Sequence, residues 1–340
     1  MSALATGQTA AGTMKAAYID APGPADSIRY GELPTPALQP GQVLVRMTAV
    51  AVDPIDTYVR SGAYKIELPR PFIIGRDMTG EVIEGGPGVT QFAPGERVWC
   101  NNQGYAGRQG TFAERLAIEA PLLYKLPVGV DPQQAVAVVH SALTAVVGLV
   151  GRAGIRASET VFVAGGDGNV GTAVLQLAKA RGARVAVTAG VAAKAVWCRE
   201  LGADRVIDYH REDVRQALGE FAPAGIDIFW DASGKIDLEL AVALMARRGR
   251  IVLMSGLASQ ATLPVGPFYT HGGSILGFTV TDATVDELAT AAAEINRLLA
   301  AGSLRAKISA VLPLSQAAEA HRRLEQDKPF GKIVLVPEAQ

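Results

Sequence analysis

The chain has 340 residues, 49% of them hydrophobic and 19% charged, and 32 Lys and Arg balance 33 Asp and Glu for a formal net charge of −1. That is a globular composition with length enough for two cores, and its neutral balance excludes the electrostatic footprint of a nucleic-acid or anionic-membrane binder. Two widely separated cysteines, Cys100 and Cys198, lack metal-ligand spacing; they point to no disulfide framework and to a reducing compartment, the cytoplasm by default.

In chain order, residues 1–13 carry no charge and no extended apolar run, and read as a disordered extension rather than a secretory signal. No stretch of about 18 apolar residues suggests a membrane-spanning helix. From Lys15 to about Pro127 short strands broken by Pro and Gly, such as 43–47, 79–83 and 96–99, predict a β-rich irregular barrel. The pattern changes near Gln133. A helix over 132–150 leads into strands near 160–165, 184–189, 205–208, 226–231 and 249–254, most of them separated by helices. Such alternation implies parallel strands joined by right-handed crossovers. Residues 274–280 suggest a sixth strand, and 285–300 a long helix. Strands near 306–308 and 332–336, with a helix between, return to the first domain. The fold class expected is therefore α/β, a doubly wound parallel sheet plus a β-rich domain. The β-rich domain takes 14–131 and 283–340, and the sheet domain takes 132–282.

The strongest motif is Gly166-Asp167-Gly168-Asn169-Val170-Gly171, placed directly after the apolar run Thr160-Val161-Phe162-Val163-Ala164 and before a helical stretch over 172–180. Strand, glycine turn and helix in that order are what a dinucleotide site needs. The first glycine permits the tight turn, the second admits the pyrophosphate, and the third lets helix pack on strand. The helix start offers N–H groups and a positive dipole end to the phosphates. A structural βα turn without ligand is the competing reading.

About 20 residues on, an NAD site usually carries an acid for the ribose 2′-hydroxyl. The next strand ends at Ala189-Gly190 with no Asp or Glu, and Lys194, Arg199 and Tyr209 follow. A small residue with nearby cations suits a 2′-phosphate. Lys194 is the favoured phosphate ligand, Arg199 reads better as solvated helix surface, and NADPH is the expected cofactor.

The order of motifs over residues 15–336 resembles the medium-chain dehydrogenase/reductase superfamily, in its zinc-free, zeta-crystallin-like NADPH:quinone oxidoreductase branch. The elements that carry the resemblance begin with Val52-Asp53-Pro54-Ile55-Asp56-Thr57-Tyr58 running on to Tyr64, Ile74-Gly75-Arg76-Asp77-Met78-Thr79-Gly80, Pro94-Gly95-Glu96-Arg97-Val98 and Gly110-Thr111-Phe112-Ala113-Glu114. They continue with the Gly166–Gly171 loop, Gln176-Leu177-Ala178-Lys179, Leu201-Gly202-Ala203-Asp204 and Phe330-Gly331-Lys332-Ile333-Val334. The resemblance implies a GroES-like catalytic domain around a Rossmann domain, hydride transfer from NADPH, and a homodimer or homotetramer.

Position by position, it implies that Tyr58 and Thr144 contact the nicotinamide end, and that Gly190, Lys194 and Tyr209 hold the 2′-phosphate. Gly166, Gly168, Asn169, Val170 and Gly171 form the pyrophosphate loop. Ser255, Gly256, Phe278 and Thr279 fall along the cofactor path, with Phe278 at the nicotinamide pocket. Phe330, Gly331 and Lys332 lie at the cleft rim, and Tyr64 borders the substrate. Core or surface packing is the alternative for each. The branch usually has Asn where Asp53 stands, Gly at Asn169, a hydroxyl residue at Val191 and a small or apolar residue at His140.

Zinc-dependent relatives place ligands at the positions of Asp53, Arg76 and His140. Arg76 cannot ligate a cation, and residues 101–109 hold no cysteine, so no metal is expected. Asp77 beside Arg76 reads as a local ion pair. Asp53 and His140 remain acid–base candidates, since hydride addition to an enone or quinone leaves an oxyanion that must take a proton from a side chain or water. Asp53 is expected to accept from a ribose hydroxyl, the carboxamide or His140, or only to cap the turn at Pro54. The leading function is reduction of a small-molecule quinone or activated alkene by NADPH, with no nucleic-acid or membrane partner. A zinc-independent ketone or alcohol oxidoreductase and a non-catalytic NADPH-binding structural or RNA-binding protein are the alternatives.

Overall fold

A computed structural model describes residues 12–338. The expected extension lies almost wholly outside the described residues, and Thr13 already opens the first strand, Thr13–Ile19. The chain divides into two compact units, one ending at Ala137 and resuming at Ile308, the other spanning Val138–Lys307.

The first unit is mostly antiparallel. Thr13–Ile19 pairs with Arg29–Pro34 on one side and Phe72–Ile73 on the other. A larger sheet runs in the order Ile308–Pro313, Lys332–Val336, Gln42–Val52, Met78–Gly85, Arg97–Cys100, Leu123–Lys125, with Arg115–Glu119 also paired to Gln42–Val52. Alternating burial along Gln42–Met47 gives way to continuous burial over Ala49–Val52, where the strand is covered on both faces. One register matters most. Ile333 pairs antiparallel with Val52, which brings the neighbouring Lys332 and Asp53 together across 279 residues of chain.

The second unit is a six-stranded parallel sheet ordered Arg205–Asp208, Arg184–Ala189, Thr160–Ala164, Ile226–Asp231, Met245–Leu253, Ser274–Gly277. Counting within the unit, that is the 3-2-1-4-5-6 order of the Rossmann fold, whose ligand crevice opens where the order reverses, at the carboxyl ends of the strands. All six expected strands are present. The core under it packs Phe162 edge-on to Phe229, ring centroids 4.8 Å apart, with Ile207, Leu218, Ile226 and Ile251 buried around them.

Two expectations are corrected. The helix Val285–Ala300 belongs to the sheet-bearing unit, so the boundary falls after Lys307 rather than at 282. Its buried stripe of Leu288, Ala291, Ala292, Ile295, Leu298 and Leu299 needs an apolar partner, and Glu294 and Glu287 pair with Arg181 and Arg152 of the same unit. Second, Pro132–Arg152 is a 21-residue helix of mean hydropathy 1.7, long and apolar enough by composition to cross a membrane. Most of it, 78%, is buried inside the fold, as in a core helix. It widens to a π turn over Val146–Arg152; there a Cβ on Gly148 would lie 2.4 Å from Trp230 and 2.5 Å from Phe278.

Candidate active site

The glycine loop caps the central strand Thr160–Ala164. The tight turn is made by Gly165, at φ +72, one residue before the glycine expected to make it. Its N–H donates to the buried Thr188 hydroxyl at 2.9 Å, so the second strand holds the start of the loop. Gly166 and Gly171 are needed for contact: a Cβ would fall 2.4 Å from Val187 and 2.3 Å from the Gly165 carbonyl, respectively. At Gly168 the only neighbour would be the Gly165 carbonyl at 3.5 Å. The helix Asn169–Ala180 begins here, three residues earlier than the pattern suggests, and no side chain of the described residues caps it. Its first-turn N–H groups therefore face an open glycine loop with a positive dipole end, a ready anion cradle. The residues fit a dinucleotide pyrophosphate.

At the end of the second strand, Gly190 has Tyr209 against it; a Cβ would lie 2.2 Å from the Tyr209 hydroxyl. Lys194 sits one turn into the helix Ala192–Glu200, half-buried. The structure brings Gly190, Lys194 and Tyr209 together as expected, and leaves Arg199 on the exposed surface. It also brings in a residue that sequence reasoning passed over. Asp167, from the glycine loop, accepts from the Gly190 N–H at 3.3 Å and lies 3.8 Å from the Lys194 ammonium. Below them Cys198 donates weakly to the Gly166 carbonyl, and burial pushes its thiol up to about 12, which makes it inert packing.

The other expected cofactor residues in this unit have structural partners. Thr144 donates to the His140 carbonyl at 3.1 Å, and His140 is half-buried on the same helix. Thr279 caps the short helix Val280–Asp282. Ser255 donates to the Asp231 carbonyl at 3.4 Å, and Gly256 turns at φ +85 beside the Gly234 carbonyl. Phe278 packs edge-on to Trp230 with centroids 5.9 Å apart.

In the first unit Asp53 precedes the helix Pro54–Ser61, whose Asp56 carboxylate accepts from the Asp53 N–H at 2.8 Å. Asp53 is the N-cap of this helix in a capping box with Asp56, the turn-capping role that is one of its expected alternatives. Its side chain also does something not expected of it: Oδ1 accepts from Lys332 Nζ, both side chains being almost wholly buried. The other oxygen, Oδ2, is buried with no hydrogen-bond partner among the described residues. Burial pulls the Lys332 ammonium down to about 7, and the carboxylate in contact opposes this by favouring the charged form. Gly331, at φ +112, turns the chain from half-buried Phe330 into the strand. Arg76 is also buried, donating to Asn102 at 3.2 Å, while Asn101 donates to Asp77. Burial lowers the Arg76 pKa, opposed by Asp56 first and Asp77 next; the expected local pair is thus one part of a wider cluster, with the Tyr105 ring 5.8 Å away. Tyr58 is exposed on its helix and Tyr64 half-buried just beyond, its N–H donating to the Tyr58 carbonyl.

The chain matches two family models, an alcohol dehydrogenase GroES-like domain over 39–128 and a zinc-binding dehydrogenase over 169–297. It is 30% identical to a quinone oxidoreductase of Sus scrofa over 309 residues, 88% of this chain and 91% of the relative. The chain belongs to the medium-chain dehydrogenase/reductase superfamily, in its quinone oxidoreductase branch. A chloroplastic NADPH-dependent alkenal/one oxidoreductase of Arabidopsis thaliana is 31% identical, covering 89% of this chain and 74% of its own. Among solved structures, mycobacterial Rv1454c complexed with NADPH superposes with a TM-score of 0.81 at 29% identity, over 95% of this chain and all of that one.

Membership in a superfamily with zinc-binding members makes the donor set a test. Asp53 and Asp77 bring carboxylate oxygens within 4.8 Å of one another, yet Asp53 is already engaged by the Lys332 ammonium and Arg76 buries a guanidinium nearby in sequence. Cationic side chains stand where a structural or catalytic zinc needs Cys, His or carboxylate lone pairs. Within the first unit, then, each of the two carboxylates lies beside a buried cation, Asp53 beside Lys332 and Asp77 beside Arg76.

Proposed function

We propose that this oxidoreductase works without zinc and transfers hydride from NADPH to a quinone or an activated alkene. The observation that carries the reading is the pairing of a formed anion cradle at Gly165–Gly171 with a buried Lys332–Asp53 ion pair in place of metal ligands. Simple ketones and alcohols call for a Lewis acid or a positioned proton donor to polarise oxygen. Quinones and enones need less help, since conjugation spreads the charge that hydride brings.

Bound NADPH supplies the hydride. The chain's own part begins with the Asn169–Ala180 helix start, which holds the pyrophosphate through backbone N–H groups. Gly190, Lys194 and Tyr209 surround the 2′-phosphate. In the first unit, Lys332 fixes the Asp53 carboxylate in place and leaves Oδ2 as a hydrogen-bond acceptor. Two electrons arrive with the hydride, and one proton completes the hydroquinone or saturated carbonyl. His140 or water provides it.

The test is NADPH oxidation by the purified enzyme with a benzoquinone, a 2-alkenone, a saturated ketone and, in reverse, NADP⁺ with a simple alcohol. Turnover of the first two, unchanged after chelation, is expected. Alcohol oxidation that chelation abolishes would overturn the reading.

A further inference from the structure

We propose that Asp167 narrows this enzyme's discrimination between NADPH and NADH, by occupying the Gly190 amide and partly neutralising Lys194, so that both are less available to an incoming 2′-phosphate. The proposal rests on the dinucleotide reading above and goes beyond it. In a Rossmann site specific for NADH, a carboxylate at the end of the second strand accepts from the ribose hydroxyls. No acid stands at that strand end in the sequence. The fold nevertheless delivers one there, from the loop after the first strand: Asp167 Oδ2 is 3.3 Å from the Gly190 amide nitrogen and 3.8 Å from Lys194 Nζ.

Three consequences follow from chemistry alone. The Gly190 N–H is a donor that a phosphate oxygen could otherwise use, and it is occupied. Lys194, the cation suited to a 2′-phosphate, is partly neutralised; its side chain and that of Asp167 are 25% and 15% exposed, so solvent only partly screens the pair. Lastly, a carboxylate a few ångströms from the phosphate repels it, while the same carboxylate is an acceptor for the two ribose hydroxyls of NADH. The subsite thus carries a phosphate-binding cation and a hydroxyl-binding acid side by side. Tyr209, exposed and lying against Gly190 and the His210 ring, contributes its hydroxyl to either ligand. Discrimination between the two cofactors is therefore narrow in the natural chain, and Asp167 is what narrows it.

The experiment is calorimetric titration of the full-length enzyme with NADP⁺ and with NAD⁺, no substrate present, for the wild type, D167N, D167S, K194A and D167N/K194A. D167N keeps an oxygen for the Gly190 N–H and removes only the charge. It should tighten NADP⁺ by about tenfold or more, the scale of one charge–charge repulsion in a half-screened site, and leave NAD⁺ unchanged or weaker. D167S should do the same for NADP⁺ and weaken NAD⁺. The K194A loss for NADP⁺ should be several-fold larger in the D167N background than in the wild type, because Lys194 is then released to the phosphate. A ratio of the two dissociation constants within twofold of wild type in both Asp167 variants overturns the proposal and leaves the dinucleotide reading standing. Failure of the wild type to bind either dinucleotide overturns both.

Discussion

Replacing Lys332 with Met tests how the first unit's site is held together. The methionine keeps most of the side-chain volume and removes the ammonium from a carboxylate that is 1% exposed. Breaking a buried ion pair from one side typically costs about 3–5 kcal/mol. An independent bound comes from the cheapest escape open to a lone buried carboxylate, which is to take up a proton. From an ordinary carboxylate pKa near 3.9 that costs roughly 4 kcal/mol at pH 7 and about 1.5 kcal/mol at pH 5, at 1.36 kcal/mol per unit. Both routes give about 4 kcal/mol at neutrality. The folded variant then binds one more proton than its unfolded chain, so its stability falls as pH rises and the penalty grows from pH 5 to pH 7. Asp53→Asn has the opposite sign. The amine of Lys332, which burial draws down to about 7 even beside Asp53, loses the carboxylate that favours its charged form and sheds its proton below that value, so the penalty shrinks as pH rises from 5 to 7. Urea unfolding followed by circular dichroism at pH 5, 7 and 9 measures each slope. Penalties under about 1 kcal/mol, or slopes of the same sign in the two variants, would refute the buried pair as the element that fixes Asp53.

Three further outcomes follow from the structure. Elemental analysis of the purified enzyme should find no stoichiometric zinc, and prolonged chelation should leave quinone reduction unchanged; zinc at one per chain with activity lost on its removal would sink the zinc-free reading. His321 is buried, and burial with the Arg60 charge lowers its pKa to about 3; the unfolded imidazole binds a proton that the folded one refuses, so stability falls as pH drops from about 6.5 toward 3, by up to about 4–5 kcal/mol. His321→Phe should flatten that acid limb, and an acid midpoint the same as wild type would count against it. Gly190→Ala would press on the far end of the exposed Tyr209 ring, which can swing away, so the melting temperature should barely move while NADP⁺ affinity drops several-fold; a large loss of stability with intact affinity would show that Gly190 serves packing alone.

The sheet-bearing unit was legible because its signals are local. Each strand is a short β-branched run beside a glycine turn, and the period changes from two to 3.6 within a few residues. Right-handed crossovers narrow the possible topologies, and the 3-2-1-4-5-6 order itself is set by the strand pairing. Local signals also placed Gly190, Lys194 and Tyr209, which lie within 20 residues of one another. They misplaced the helix Val285–Ala300, because an amphipathic stripe shows that a helix needs a partner and not which unit supplies it. The same limit hid the contacts that give the candidate site its character. Asp167 reaches Gly190 over 23 residues and Lys332 reaches Asp53 over 279, each joined by strand pairing that has no trace in either local pattern.

The two hidden contacts share a physical logic. Each is a carboxylate held by an amine at a place where the chain departs from the simplest expectation for its site: an acid where a neutral amide usually stands, and an acid inside a phosphate loop. A carboxylate in such a place is costly unless a cation from elsewhere in the fold meets it. The cation is therefore the place to look when a sequence shows an acid out of pattern. At Asp53 the buried Lys332 fixes the acid as a permanent acceptor, since neither partner can leave the pair without stranding the other. At Asp167 the pair is longer and keeps some contact with solvent, so Lys194 can exchange its carboxylate for a phosphate at a lower cost than Lys332 could. Burial decides between the two behaviours: the same chemistry gives a rigid element in one unit and a negotiable one in the other.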